Sequence, residues 1–356
     1  KIDIYIIKKF LGTFFFSLIL IVPVIIVFDL SEKMRDFIER KAPIKAIIVD
    51  YYFNFVPYLV NQFSPLFIFI AVIFFTSKMA SNSEIVAILS GGISFKRLLR
   101  PFLLSAGVLA ILSFYLNNFL IPDANKERLA FEEVYYRNKF RNNAHNIHLQ
   151  IDSSTYIYMT SYNVDLNLGI NFSIETFNDG ELSYKLLSDN VRWDSVSNQW
   201  QISNYVERHI EGLNETINKG FKKDTILNFK PEEFKRRDNF IETKDFFALN
   251  KLIEEEKFKG SSFAVDCEIE KQKRMAYPFA TFVLTIIGVS LSSRKVRGGI
   301  GLHIGLGLLI SFSYILFMQV SATFAKNAGM PAIIAVWIPN VLYSILALYL
   351  LKKAPK

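Results

Sequence analysis

Glu84 is the one acid in the run from Ser83 to Ser94, where Ile85, Ile88 and Leu89 fall on one helical face, Ser83 stands as a cap and Gly91-Gly92 closes the turn. A short amphipathic helix that begins with an acid has two uses. It lies along a lipid surface, or its apolar face fills a groove in a cytoplasmic partner while Glu84 pairs with a base there. Lys33 and Arg35 are of another kind: Lys and Arg bind phosphate oxygens through charge-assisted bonds. Asp29, Glu32, Asp36 and Glu39 interleave with them, so the same stretch also reads as a solvated helix laced with ion pairs. Glu270 and Arg274, four residues apart, meet on one face of a helix, as a plain ion pair or as part of a gate.

Catalytic chemistry has no foothold in the pattern. His145 and His148 stand three apart, but no third ligand with a usable spacing follows, so no metal site is assigned. No G-x-x-x-x-G-K-[ST] phosphate loop and no Ser-His-Asp or nucleophile-elbow arrangement occurs, which argues against a nucleotide-hydrolysing or acyl-transferring site in this chain. No cofactor is expected to be bound by it. A single cysteine, Cys267, excludes an intramolecular disulfide framework.

These residues are carried by a membrane protein. The 356 residues are 51% hydrophobic with 34 Phe, too apolar for a disordered chain, yet 21% are charged, so a large water-facing part must exist. Six windows approach the roughly 20 apolar residues that a bilayer requires. They are Phe10 to Phe28, Phe53 to Thr76, Pro101 to Ile121, Met275 to Leu291, Ile300 to Ala325 and Pro331 to Leu351, and His303 is the one ionisable side chain well inside them. The first is read as a retained span. Scarcity of charge in the spans argues against a proton- or sodium-coupled carrier, and Asn61, Gln62, Gln319 and Asn340 are expected to make interhelical hydrogen bonds. Gly301, Gly305 and Gly307 would let helices approach closely.

Between the third and fourth windows, short alternating runs such as Tyr156 to Thr160 and Phe172 to Phe177, with turn signals at Asn178-Asp179-Gly180 and Ser197-Asn198, predict strands and hairpins. The expected fold is therefore a membrane α-helical bundle of six spans, three plus three, with an inserted, mostly β, extracytoplasmic domain. Its parts are residues 1–121 with a cytoplasmic helix at about 83–94, the β domain at 122–274, and spans four to six at 275–356. Lys and Arg beside the spans put both termini in the cytoplasm. The first loop resists that rule, because it would place Lys33, Arg35, Arg40, Lys41 and Lys45 outside. The net charge of +8 is assigned to orientation and headgroup contact, not to nucleic acid.

The run Glu84 to Ser94 resembles the E-x-V-A-x-x-x-x-G-x-S coupling-helix signature of the lipopolysaccharide-export permeases, the LptF/LptG (YjgP/YjgQ) family. Glu270-x-x-x-Arg274-x-x-x-Pro278 resembles that family's approach to span four, Leu291 to Gly299 its basic turn before span five, and the Trp193 to Trp200 hairpin its outer domain. The tryptophans and Phe28-Asp29 lean toward the LptG-like half. Departures are Ser290, where the family often has proline, and Ile26 and Val27, where LptG-like members can carry a lysine.

The resemblance implies one transmembrane subunit of an ABC exporter in the inner membrane, which takes lipopolysaccharide from that membrane toward the outer one. It implies a periplasmic β-jellyroll, a second related permease (LptF-like), a single-span β-domain subunit (LptC-like) and a periplasmic bridge protein (LptA-like). It also implies a cytoplasmic ATPase dimer (LptB-like) that holds the ATP and magnesium and meets Glu84, Ile85, Ile88, Leu89 and Gly91. Lys33 and Arg35 would then lie where a phosphorylated headgroup sits. The competing reading is a membrane-anchored scaffold or receptor whose β domain binds an extracytoplasmic partner.

Overall fold

The computed structural model describes residues 1–138, 144–294 and 299–354. Among these, six helices are long and apolar enough to cross a membrane, and a six-stranded sheet lies between the third and the fourth. The chain is thus a membrane helical bundle with an inserted β domain.

Helix α1 runs over Ile2–Glu39. At 1.5 Å per residue it is about 57 Å long, nearly twice a hydrocarbon core of roughly 30 Å. The stretch from Asp29 that reads as an outer loop is therefore the helix continuing past its apolar window. A π-helical turn, Ile47–Tyr52, leads into α2 (Phe53–Gln62) and α3 (Ser64–Ser81). The second window is split at Phe63 because Pro65 has no N–H to carry the ladder on, and it sits in the first turn of the new helix, where none is needed. Then come α4 (Glu84–Ser90) and α5 (Phe95–Tyr115), which passes through a π-turn at Leu116–Leu120 into α6 (Ile121–Tyr135). After the sheet follow α7 (Phe246–Phe258), α8 (Phe263–Ser292), α9 (Gly299–Asn327) and α10 (Ala332–Lys353).

The chain divides into two compact units, and their limits differ from those read from hydropathy. The bundle unit holds Lys1–Tyr136, Ile241–Leu249 and Cys267–Lys356; the β unit holds Arg137–Phe240 and Asn250–Asp266. Pro122 to Tyr136 and Cys267 to Arg274 belong to the bundle because they continue helices whose charged turns hydropathy counts as soluble chain.

In the bundle, Phe10 and Phe14 of α1 pack with Phe67 and Val72 of α3 and Phe102 of α5. Helices α3 and α9 meet closely: a Cβ on Gly307 would come within 2.3 Å of Ile73 Cδ1. Gly301 and Gly305 instead face open space and carry no such approach. Three of the four intramembrane amides bridge helices, Ser113 donating to Asn61 at 2.7 Å, Asn340 to the Ala276 carbonyl at 3.1 Å and Lys273 to Gln319 at 3.0 Å. His303 is buried, 2.8 Å from the Ser77 hydroxyl.

The β unit holds β1 (His145–Gln150), β2 (Thr155–Asn163), β3 (Leu168–Asn178), β4 (Glu181–Asp194), β5 (Gln199–Glu211) and β6 (Asn214–Thr225). A jellyroll joins two sheets by crossovers. These six strands form one up-and-down antiparallel sheet, each bonded to its sequence neighbour. The β3–β4 turn forms at the expected place, with Asp179 at φ 52° and Gly180 at φ 85°, the left-handed geometry that suits a tight hairpin. Trp193 and Trp200 face each other across β4 and β5 with ring centres 5.2 Å apart, and Trp200 Nε1 donates to the Phe229 carbonyl at 3.0 Å.

Candidate functional site

Helix α4 has only seven residues, too few to be stable alone, so packing must hold it. Ile85 is 1% exposed, and Ile88 and Leu89 lie partly buried against the same core that Ile6 and Phe10 build. The apolar face expected to fill a partner's groove is thus turned into the chain's own bundle, since seven residues offer one apolar stripe and the nearest apolar surface takes it. What remains outside is Val86, 62% exposed, with Ala87, Ser90 and Gly91. Ser83 does not cap the helix: it sits at φ 62° and its side chain makes no cap hydrogen bond. The start is tied differently, with Glu84 accepting from the Tyr5 hydroxyl at 3.2 Å and from Asn82 Nδ2 at 3.1 Å. Gly92, at φ 84°, follows the end of the helix. Beside it Arg97 grips Asp3 through two bonds of 2.8 and 2.6 Å, joining the starts of α1 and α5.

At the far end of α1 the two expected headgroup cations have different fates. Lys33 and Asp29 are each 12% exposed and 2.7 Å apart. The ammonium also contacts the Tyr51 hydroxyl and lies 4.8 Å from the ring centres of Tyr51 and Tyr136 and 5.4 Å from that of Phe55. Tyr51 and Tyr52 donate to the same Asp29 carboxylate at 3.0 and 3.2 Å. Burial first, then the Asp29 charge, pushes the Tyr51 phenol well above its ordinary range, so it stays a donor. Lys33 is enclosed in an aromatic box. Arg35, two residues further along and so on the other side of the helix, is 86% exposed and bonded only to Glu39, at 2.7 Å.

Glu270 and Arg274 form the expected ion pair, at 2.8 Å, but Arg274 reaches further, to the carbonyl of Lys244 at 2.7 Å. His145 and His148 both lie on β1, whose alternation Asn146 interrupts at φ 55°, and no group of three or more metal-binding side chains occurs among the described residues. Of the basic turn before span five, residues 295–298 lie outside the described residues.

A profile of the family described as lipopolysaccharide export system permease LptF/LptG matches residues 4–353, nearly the whole chain. The chain belongs to the LptF/LptG family. The match is to both permeases jointly and does not separate the LptG-like from the LptF-like half. A comparison with curated proteins finds no match. On α4, Val86 and Ala87 are exposed, while Ile85, Ile88 and Leu89 supply the packing. Sequence reasoning missed the box around Lys33 and a second buried cation, Arg128. The only local signal was Tyr51-Tyr52 beside an aromatic turn and the i, i+4 spacing of Arg128 and Glu132.

Proposed function

We propose that this LptF/LptG permease is a subunit of an ABC exporter that draws lipopolysaccharide out of the inner membrane and passes it to its periplasmic β unit, powered by a separate cytoplasmic ATPase. As a family member the chain is a transport component in a multi-pass membrane bundle. The exposed face of α4 carries the rest of the reading. Val86, Ala87 and Ser90 form a small uncovered surface on a helix fixed from behind, with Glu84 oriented by Tyr5 and Asn82. Such a surface passes force from a docked subunit into α1 and α5, because its buried side is continuous with their core. ATP and magnesium belong to that partner. A second permease, a single-span β-domain subunit and a periplasmic bridge protein complete the path.

For the headgroup, the exposed Arg35, held only by a solvent-screened surface pair with Glu39, is the one of the two candidate cations that can turn to a phosphate. Lys33, already satisfied, pins the end of α1.

The test is to purify the membrane complex through a tag on this chain and identify its companions by mass spectrometry, for wild type, Glu84→Ala and Val86→Asp. A P-loop ATPase that co-purifies and is lost with Val86→Asp supports the exporter. A chain that comes alone or only with periplasmic proteins, unchanged by either substitution, leaves the scaffold reading.

A further inference from the structure

The segment Ile241–Lys244 belongs to the bundle unit, although the chain runs in the β unit up to Phe240 and again from Asn250. Two buried arginines hold it. From α6, Arg128, 5% exposed, donates to Glu242 Oε2 at 3.0 Å. Its guanidinium lies 4.2 Å from the centre of the Tyr58 ring, and Glu132 stands 3.8 Å from Nε. Asn125, on the same helix, donates to the Glu242 carbonyl at 3.2 Å. From α8, Arg274 donates to the carbonyls of Lys244 and Ile241, at 2.7 and 3.4 Å, while bound to Glu270.

Burying a guanidinium is costly unless its donors are matched. Glu132 on α6 and Glu270 on α8 would each supply a partner within one helical turn. Both arginines nevertheless spend donors on the connector, 114 residues away for Arg128 and 30 and 33 away for Arg274. Two carbonyl bonds from Arg274 and one from Asn125 fix the connector's backbone, and the Glu242 carboxylate fixes its side chain. Such a grip locates a chain segment against two helices at once. The connector is where the chain first leaves the β unit after the sheet, to re-enter it at Asn250 before span four.

We propose that Arg128 and Arg274 are positioning residues for lipid transfer, a clasp through which displacement of α6 and α8 reaches the connector that leads out of the β unit. The transfer role rests on the export reading above; the clasp itself does not.

The test uses the full chain in the complex it purifies with, in nanodiscs, as wild type, Arg128→Met and Glu242→Gln. Met keeps apolar length over Tyr58, and Gln keeps the shape of Glu242, so the second variant decides the matter if the first does not fold. Hydrogen exchange is followed in peptides covering 241–249, with peptides from β4, β5 and the membrane part of α8 as controls. Fluorescent lipopolysaccharide delivered to an acceptor is measured per ATP hydrolysed. The clasp expects exchange in 241–249 to rise at least about tenfold with the controls unchanged, and lipid delivered per ATP to fall at least about fivefold while ATP hydrolysis stays within twofold. Unchanged exchange in 241–249, or an equal rise in every peptide, overturns the clasp. Faster exchange with an unchanged ratio overturns the positioning role. A wild type that moves no lipid sinks the export reading and with it that role, and exchange still decides the clasp.

Discussion

Helix α4 offers two neighbouring residues whose substitutions should separate folding from docking. Ile85→Ala removes three carbons from a fully packed site; at about 0.8 kcal/mol per buried CH₂, plus the cavity left behind, the cost is about 2–4 kcal/mol. Seven residues have little helical stability of their own, so that loss falls on the local opening of α4. Amide exchange over Glu84–Ser90 should accelerate by roughly thirty-fold to several hundred-fold in the purified chain. Val86→Asp alters an exposed side chain, a class of change that usually costs within about 0.5 kcal/mol, so exchange should move by less than roughly threefold. The partner ATPase should be lost with Val86→Asp despite a folded helix. Ile85→Ala exchange within twofold of wild type would refute the assignment of the α4 faces.

Other consequences follow from the same geometry. Gly307→Ala should destabilise the bundle by up to about 1 kcal/mol, because the new Cβ meets Cδ1 at the tip of the buried Ile73 side chain, which must turn aside, whereas Gly305→Ala should be neutral or slightly stabilising; thermal unfolding in detergent reads both. In the β unit, Trp200→Phe leaves the buried Phe229 carbonyl without its donor and should cost about 1–3 kcal/mol, measured as a loss of near-ultraviolet dichroism at lower denaturant. Burial pushes Glu207 up, but the Lys223 ammonium and Tyr184 hydroxyl outweigh it, so its carboxyl lies below the usual glutamate range. Its stabilisation is therefore full above that range and disappears as the pH falls through the depressed value. Glu207→Gln should flatten the acid limb of the β unit's stability, and an unchanged acid limb would contradict the assignment.

Much of the architecture is visible in the residues alone. Apolar length marks six spans, and Asn178-Asp179-Gly180 marks its hairpin, because both signals are local: the first is a hydration energy summed over a window, the second a left-handed backbone that few residues adopt. Helix ends are less legible. Asp29 to Glu39 and Pro122 to Tyr135 are helical beyond the apolar windows, where charged side chains hide continuation from hydropathy. The surroundings of α4 are not legible in its stripe. An apolar stripe says that a face is buried, not by what, and the core that covers Ile85 comes from α1, α3 and α5. Lys33 illustrates the same limit, since the rings that enclose it come from positions 51, 55 and 136. Arg128 and Glu242, 114 residues apart, carry no mutual sequence signal.

The most direct test of the central claim is transport itself. The complex purified through this chain, reconstituted in proteoliposomes loaded with fluorescent lipopolysaccharide, should release lipid to an external β-domain acceptor when ATP is supplied, and not with a non-hydrolysable analogue. Release at the same rate with and without ATP, or none with an active ATPase bound, would contradict the account.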